Sequence, residues 1–134
     1  MDRPRLRVSG PTIGAREPVA LARFYSDFLG WPIERTEGPR PGHPDSDGWA
    51  LLRSPDEAMK IEVQWEPHAQ SPTWPSSSGE LTMLMHLDIG VDDLDAGVRW
   101  ATEHGATEAT HQPQEGVRVM LDPEGNPFCL FVDL

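Results

Sequence analysis

The chain contains the same pattern of secondary structure twice, and this internal repeat limits the folds open to it. In the first half, a short strand-like run at residues 6–8 leads into a helix-like segment that ends at Gly30. In the second half, a longer run at residues 84–91 leads into a helix-like segment that ends at Gly105. About three strand-like runs follow each helix, since apolar and polar residues alternate there. The sequence therefore predicts two βαβββ units.

The length of the chain sets how these units are organised. A chain of 134 residues is long enough for one hydrophobic core but short for two independent domains. We therefore predict a single α+β domain over residues 1–134. Its parts are unit one at about 5–66, a connector at about 67–80 and unit two at about 81–134.

Both helices are predicted from apolar stripes and from signals at their ends. The first runs from about Pro18, which suits the first helical turn, to Leu29, with a glycine as the left-handed stop. The second runs from about Asp93, a good N-cap residue, to His104. Strands are predicted at Leu6–Gly14, Trp31–Arg35, Trp49–Arg53, Met59–Trp65, Leu81–Val91, Ala106–Thr110, Val117–Leu121 and Phe128–Asp133.

The net charge of −11 opposes binding to phosphates, so no nucleic-acid partner is expected. The same charge favours solubility and attracts cationic small molecules. The first residues carry charge and no apolar stretch follows them, so we expect no signal peptide. No apolar run is long enough to span a membrane. The single cysteine, Cys129, excludes an intramolecular disulfide, which fits a cytoplasmic location.

Two stretches are predicted to be long loops. Residues 37–48 are rich in Gly, Pro, Asp and Ser, and residues 68–80 connect the two units. Long loops in compact domains are often lids or binding loops, although a plain linker explains the connector equally well. Trp74 in the connector favours a packed or ligand-facing role, because large aromatic faces pack or bind ligands.

Three motifs occur in an order and spacing that resemble the vicinal-oxygen-chelate superfamily. They are Ala22–Trp31 with the pattern FY…LGW, Met85–Asp95 with HLD…VDDLD, and Leu121–Phe128 with DPEGN. This superfamily contains glyoxalase I, extradiol dioxygenases and bleomycin-resistance proteins, and the chain resembles its small glyoxalase-like domains. The resemblance implies that each βαβββ unit curls into a half-barrel. The paired half-barrels of the glyoxalase/bleomycin-resistance fold then enclose a cavity for a small organic ligand.

The resemblance also implies a divalent metal in that cavity. The four ligand positions of the family fall at about Gly10, Glu62, His86 and Cys129. Glu62 and His86 are typical ligands, and we predict them as the metal-binding residues. Gly10 has no side chain to offer, and Cys129 stands where most metal-using members carry glutamate. Hard cations such as Mn²⁺ prefer oxygen, whereas thiolate suits softer metals such as Zn²⁺. With two of the four usual ligand positions matched, the resemblance leaves open either a divalent Zn, Mn, Fe, Ni or Co ion or no metal.

Alternation along the strand around Glu62 adds candidate pocket residues. It puts Glu62 and Gln64 on one face of the strand. Ile61, Val63 and Trp65 fall on the other face. The polar face of a generic strand is simply solvated, but the geometry of the family turns this face into the cavity. Glu62 is then the predicted catalytic residue, as metal ligand or general base, and Gln64 a hydrogen-bonding pocket residue.

His86 is predicted to line the pocket, either as a metal ligand or as a packed, hydrogen-bonded residue. Asp88 shares its face, but a single strand offers awkward geometry for a hydrogen bond between them, so no role is predicted for Asp88. Cys129 is placed in the pocket as a small buried side chain. No basic neighbour in the sequence would activate its thiol.

Three functions remain open. The first is a metal-assisted lyase, isomerase or dioxygenase, and the second is a protein that sequesters a drug or metabolite without catalysis, as bleomycin-resistance proteins do. The acidic charge and the predicted pocket tryptophans Trp31, Trp49 and Trp74 suit the second. The function predicted first is a glyoxalase-like small-molecule-binding protein with an incomplete metal site, and sequestration without catalysis is the alternative. The third is a metal-free enzyme that uses acid–base chemistry. The resemblance further implies a homodimer.

Overall fold

Each half of the chain folds into the βαβββ unit that the sequence predicts. The computed structural model describes residues 2–134, which form two units. Unit 1 ends at Pro67 and unit 2 begins at His68. Each unit contains one four-stranded sheet and one helix. The predicted fold class, an α+β fold of two βαβββ units of the half-barrel type, is therefore confirmed.

Unit 1 consists of β1 (Thr12–Ala15), α1 (Pro18–Leu29), β2 (Ile33–Glu37), β3 (Trp49–Arg53) and β4 (Lys60–Trp65). The strand order is β1-β4-β3-β2. The first and last strands of the unit, β1 and β4, are parallel, and the other pairs are antiparallel. The parallel pair brings together the first and last strands of the βαβββ segment.

Unit 2 consists of β5 (Asp88–Val91), α2 (Leu94–Glu103), β6 (Thr107–Glu108), β7 (Val117–Leu121) and β8 (Pro127–Val132). Its strand order, β5-β8-β7-β6, repeats that of unit 1, and β5 lies parallel to β8. Neither helix of residues 2–134 is both long and apolar enough to cross a membrane.

Helix α1 has the bounds that the sequence predicts. Pro18 stands in its first turn, and Gly30 ends it in the left-handed conformation with φ 71°. Its buried side chains pack on β3 and β4. Burial of each large apolar side chain contributes on the order of 1.5–3 kcal/mol to stability, which holds α1 against one face of the sheet. The opposite face of the sheet remains available for a functional site. The buried residues of α1 are Pro18, Leu21, Ala22, Phe24, Tyr25 and Phe28.

Helix α2 buries fewer side chains than α1. Its N-cap Asp93 accepts a hydrogen bond from the Ala96 N–H at 2.9 Å, and Ala101 is its fully buried residue. Gly97 allows a close approach to β5, because a Cβ there would lie 3.1 Å from Val91 Cγ1. The small residues thus set the helix close to the sheet. The large buried side chains of unit 2 come from its strands, chiefly Met120, Phe128 and Leu130.

The first strand of unit 1 is shorter than the sequence predicts. It begins at Thr12 rather than at Leu6. Pro11 has no N–H to donate to a neighbouring strand, and Gly10 has a φ of 144°, outside the range of strand residues. Backbone contact with β4 continues before Thr12, because the Lys60 N–H donates to the Ser9 carbonyl at 2.8 Å and the Glu62 N–H to the Pro11 carbonyl at 3.1 Å. The predicted strand is therefore too long only in its regular part.

The first strand of unit 2 is shortened in the same way. It begins at Asp88 rather than at Leu81, and its pairing is preceded by one hydrogen bond from the Cys129 N–H to the Leu87 carbonyl at 2.9 Å. The apolar residues before it are not buried, and Leu84 is 93% exposed. The bounds of the other strands differ from the prediction by at most two residues at each end.

The same register relates the first and last strands in both units. Thr12 pairs with Glu62 in unit 1, and Asp88 pairs with Cys129 in unit 2. Ile61, next to Glu62, and Leu130, next to Cys129, are buried. Because side chains alternate along a strand, Glu62 and Cys129 lie on the opposite sheet face, away from the helix.

Candidate functional site

The face of the unit 1 sheet away from α1 forms an open cleft of about 590 Å³. Three residues that the sequence predicts for the pocket, Glu62, Gln64 and Trp49, line it together. Gln64 lies across from Trp49 in the register of β3 and β4, and Glu62 lies across from Leu51. Charged side chains complete the lining, including Arg35, Glu37, Arg40, Asp47 and Lys60.

Glu62, the predicted catalytic residue, is held by two neighbours. Its Oε2 lies 3.3 Å from the Nζ of Lys60 and accepts a hydrogen bond from the Oγ1 of Thr12 at 3.4 Å. The side chain of Glu62 remains 24% exposed. Partly exposed ion pairs contribute at most about 1 kcal/mol to stability, so these contacts orient the carboxylate more than they stabilise the unit.

Trp49 gives the cleft an aromatic wall. The guanidinium carbon of Arg35 lies 5.3 Å from its ring centroid, within the range of a cation–π contact, and Arg35 Nη2 lies 3.5 Å from Glu37 Oε1. Trp65 also lines the cleft, although alternation predicts it for the other face. It is the last residue of β4, where the alternation ends, and its ring packs edge-on against His43.

The loop predicted at residues 37–48 forms the rim of the cleft, and an ion pair orders it. Arg40 donates to Asp47 Oδ2 from its backbone N–H at 2.8 Å and from Nε at 3.0 Å, and to Oδ1 from Nη2 at 3.1 Å. Asp47 is 4% exposed. The hydrogen bonds from the Arg40 side chain are the main reason why the pKa of Asp47 falls to about 2.

Unit 2 brings three potential metal ligands together where β5 begins. The ligand atoms of His86, Asp88 and Cys129 all lie within 4.8 Å of one another, and His86 Nε2 lies 3.0 Å from Asp88 Oδ1. The expectation that the geometry is awkward for a His86–Asp88 contact is wrong. His86 precedes the regular strand, so the strand pleat does not fix the direction of its side chain.

Cys129 lies in a small apolar cluster with Ala109 and Val119. Burial raises the pKa of its thiol, and the negative charge of Asp88 raises it further. A free thiol of this kind is protonated near neutral pH and is a poor nucleophile. Cys129 is therefore a buried side chain, as the sequence predicts, and it lies beside charged neighbours.

Trp74 packs against the Cys129 cluster. Its Nε1 donates a hydrogen bond to the His111 carbonyl at 3.0 Å, and Ser71, three residues earlier, donates to the Glu124 carbonyl at 2.6 Å. The connector is thus packed within unit 2 and is not a free linker. Trp74 and Cys129, both predicted as pocket residues, lie together.

Two other positions from the sequence prediction contribute no side chain to these sites. A Cβ built on Gly10 would overlap the carbonyl oxygen of Lys60, so this ligand position of the family cannot carry a side chain here. Trp31 is half-buried after the end of α1, and its carbonyl accepts a hydrogen bond from Ser26 Oγ at 2.6 Å. It is not among the residues that line the unit 1 cleft.

The donor set of unit 2 fits a transition metal. Imidazole nitrogen, carboxylate oxygen and thiolate sulfur are the usual ligands of Zn²⁺, whereas Mg²⁺ and Ca²⁺ take oxygen ligands. His86 and Cys129 are two of the four residues that the sequence resemblance assigns to ligand positions of the family. A third such residue, Glu62, lies in unit 1. In the strand register it corresponds to Cys129, while Gly10 and Thr12 correspond to His86 and Asp88, so Glu62 is the one charged residue among the three.

Sequence reasoning missed Arg35 and Asp88. Alternation identifies which residues of one strand share a face, but it does not show which residues of another strand lie beside them. The sequence shows that His86 and Asp88 are two residues apart. It does not show that Cys129 lies beside Asp88, because that depends on the register between β5 and β8. No signal in the sequence indicated that Arg35 would cover Trp49.

Solved structures share this fold over nearly the whole chain. A glyoxalase/bleomycin resistance protein/dioxygenase family enzyme from Burkholderia phytofirmans PsJN is 21% identical with a TM-score of 0.62, covering 96% of this chain and 100% of that one. The fosfomycin resistance protein FosX from Listeria monocytogenes, complexed with Mn(II) and 1S,2S-dihydroxypropylphosphonic acid, is 12% identical with a TM-score of 0.68, covering 95% and 92%. A bleomycin resistance determinant encoded on transposon Tn5 is 20% identical with a TM-score of 0.57, covering 96% and 98%.

At these identities the similarity shows the fold alone. No curated protein matches the chain. A family model described as a glyoxalase-like domain matches residues 11–131, which include both units and both candidate sites. The chain therefore belongs to the glyoxalase-like domain family of the vicinal-oxygen-chelate superfamily.

Proposed function

We propose that the protein binds a small organic molecule in the unit 1 cleft. The observation that carries this proposal is the convergence of Trp49, Gln64 and Glu62 on one cleft of about 590 Å³. Small-molecule sites have volumes of about 300–1,000 Å³, with aromatic walls and a few fixed polar groups. The cleft has the volume of such a site and an aromatic wall in Trp49, while most of its other lining side chains are charged or polar.

The charges along the cleft favour a flat, polar ligand. Arg35 and Lys60 each lie within ion-pair distance of a glutamate, so the lining of the cleft offers both donors and acceptors. A planar ligand that takes the place of the Arg35 guanidinium over Trp49 can accept hydrogen bonds from the cations and donate one to Glu62. The net charge of −11 adds a long-range attraction for a cationic group on the ligand.

Sequestration of a drug or metabolite is one form of this function. A bleomycin resistance determinant and a fosfomycin resistance protein share the fold, and the acidic charge and aromatic wall support binding without catalysis. Recovery of the bound molecule unchanged after incubation would support sequestration, whereas conversion to a product would support an enzyme.

A metal-assisted lyase, isomerase or dioxygenase is the second form, and the His86–Asp88–Cys129 group favours it. A divalent metal, when bound, polarises substrate oxygens as a Lewis acid. Within the unit 1 cleft, Glu62 is the proposed proton acceptor, with its carboxylate oriented by the Thr12 hydroxyl. The pairing of Glu62 with His86 as ligands of Zn, Mn, Fe, Ni or Co stays a prediction. So does the third form, a metal-free acid–base enzyme.

The homodimer implied by the family resemblance also stays a prediction. Apolar side chains are exposed before both first strands: Val8 is 85% exposed, and Leu84 and Met85 are 93% and 87% exposed. Because exposed apolar surface favours association, light scattering coupled to size-exclusion chromatography is expected to give twice the mass of one chain. A monomeric mass at high concentration would contradict the prediction.

NMR titration of the full chain tests the binding proposal. Bleomycin serves as a cationic probe, dihydroxypropylphosphonic acid as an anionic probe, and a set of aromatic fragments as neutral probes. We expect saturable shifts of β3 and β4 amides that Gln64→Trp, which fills the cleft, abolishes. Trp100→Phe, at an exposed position on α2, is the control and should leave the shifts unchanged. Shifts confined to unit 2, or none with any probe, would contradict the proposal.

A further inference from the structure

Unit 2 holds a second group of reactive side chains, made of residues other than those that line the unit 1 cleft. His86, Asp88 and Cys129 place one nitrogen, one oxygen and one sulfur donor within 4.8 Å of one another. The strand register fixes two of them, since Asp88 pairs directly with Cys129. The backbone of the third is tied to them, because the Cys129 N–H donates to the carbonyl of Leu87, the residue after His86.

We propose that these three side chains bind one divalent ion of the Zn²⁺ type, with a fourth position left for water or a ligand. This ligand set differs from the four positions of the family in two ways. It lies wholly within unit 2, and Asp88 supplies the third ligand in place of Glu62. The inference does not rest on small-molecule binding in unit 1, so either proposal can fail alone.

The donor atoms need only small movements to reach a metal. Zinc bonds of about 2.0–2.3 Å place the ligand atoms of a tetrahedral site roughly 3.3–3.8 Å apart. The widest separation, at most 4.8 Å, must therefore shorten by no more than about 1.5 Å. The side chains of His86 and Asp88 are 34% and 62% exposed and have room to rotate, while Cys129 stays in its buried cluster.

The types of donor decide which metals fit. Sulfur and nitrogen donors select Zn²⁺ and its analogue Co²⁺ over Mg²⁺ and Ca²⁺. In the binding step the S–H bond of Cys129 breaks, a sulfur–metal bond forms, and the proton is released to solvent. The step needs no oxidant or reductant, because the metal keeps its +2 charge.

Unit 1 provides an internal comparison for this site. The positions equivalent to His86, Asp88 and Cys129 in its register are occupied by Gly10, Thr12 and Glu62. Of these, Glu62 is the one charged ligand, and Gly10 cannot carry a side chain beside Lys60. We therefore expect one ion of this type per chain.

Cobalt(II) titration of the complete, chelator-treated chain tests the inference. Thiolate ligation of Co²⁺ gives a near-ultraviolet charge-transfer band, and elemental analysis gives the stoichiometry. We expect one Co²⁺ per chain, with a charge-transfer band that disappears in Cys129→Ser. Asp88→Asn, at an exposed position that does not contribute to the core, should weaken Co²⁺ binding by at least about tenfold.

Two further variants make the outcome decisive. Asp92→Asn removes a neighbouring exposed carboxylate and should bind Co²⁺ like the unmodified chain. Glu62→Gln should keep both the stoichiometry and the band. Absence of the band in the unmodified chain, or less than one ion per chain, would overturn the inference. Loss of Co²⁺ in Glu62→Gln with normal binding in Asp88→Asn would also overturn it, in favour of the usual ligand positions of the family.

Discussion

The two units share strand order and register, yet they present different chemistry on the sheet face away from the helix. Unit 1 lines this face with charged and aromatic side chains around an open cleft, whereas unit 2 lines it with small apolar side chains and a group of metal-binding type. The two units therefore share a backbone arrangement, and their chemistry differs because different residues occupy the equivalent positions. The equivalent rows are Thr12–Glu62–Leu51–Arg35 in unit 1 and Asp88–Cys129–Val119–Ala109 in unit 2.

The cover of the two faces also differs. In unit 2, Trp74 of the connector packs on the Cys129 cluster. In unit 1, the Arg40–Asp47 ion pair holds the loop at the rim of the cleft. Because one face is covered and the other is open, substitutions in the two units should affect different properties. Unit 2 should respond mainly in stability and metal binding, and unit 1 mainly in ligand binding.

The largest expected effect comes from an attempt to make unit 1 resemble unit 2. Gly10→His places a side chain where the Lys60 carbonyl lies, at a φ of 144°, and should cost at least about 3 kcal/mol of unfolding free energy. The reverse change, His86→Gly, removes a partly exposed side chain and should cost about 1 kcal/mol or less. Urea denaturation measures both. Equal losses would mean that the backbone does not prevent a ligand at residue 10.

A smaller loss is expected when the cover of unit 2 is removed. Trp74→Ala deletes the indole that packs on Ala109, Val119 and Cys129, and should cost about 2–3 kcal/mol. The matched control is Trp100→Ala, at a position that is 48% exposed, with an expected loss of about 1 kcal/mol or less. If both changes lower the urea midpoint equally, Trp74 does not stabilise this face.

The rim of unit 1 gives a pH-dependent effect that is smaller again. Asp47→Asn should lower the midpoint of urea denaturation near neutral pH. The folded pKa of about 2 lies below the ordinary 3.8, so Asp47 stabilises the fold above pH 3.8 and loses this effect as the pH falls towards 2. The two proteins should therefore converge in acid. A constant difference down to the folded pKa would show that the ionised carboxylate is not the cause.

The smallest effect on stability is expected at the aromatic wall. Arg35→Gln removes the guanidinium over Trp49 and should change the unfolding free energy by no more than about 0.5 kcal/mol, while shifting the tryptophan emission. Arg53→Gln breaks the ion pair with Glu34 and serves as the control with unchanged emission. Equal emission from both variants would contradict the Arg35–Trp49 contact.

End signals explain why the sequence predicts the helices well. Pro18 and Gly30 lie at the two ends of α1 and determine its bounds through their own backbone conformations, so α1 has its predicted bounds. The first strands were predicted too long, because their ends depend on residues distant in the chain. The backbone of Gly10 lies close to the backbone of Lys60, and the sequence around residue 10 does not predict that contact.

In the candidate site too, features that depend on neighbouring residues were predicted, whereas features that depend on distant residues were not. Strand alternation placed Glu62 and Gln64 on one face, and both line the cleft. The partners of Trp49 and Cys129 depend on cross-strand register, so the sequence did not indicate Arg35 or Asp88. The roles predicted for these residues, in catalysis, ligand binding and metal ligation, stay predictions.

The Arg40–Asp47 contacts have a consequence for the speed and heat of ligand binding. A disordered loop loses about 1–2 kcal/mol of conformational entropy for each residue that a ligand fixes. The loop at residues 38–48 is already closed by these hydrogen bonds, so a ligand entering the cleft needs to order little of it. Association should then follow a single fast phase set by diffusion, with a heat-capacity change no larger than the buried surface accounts for.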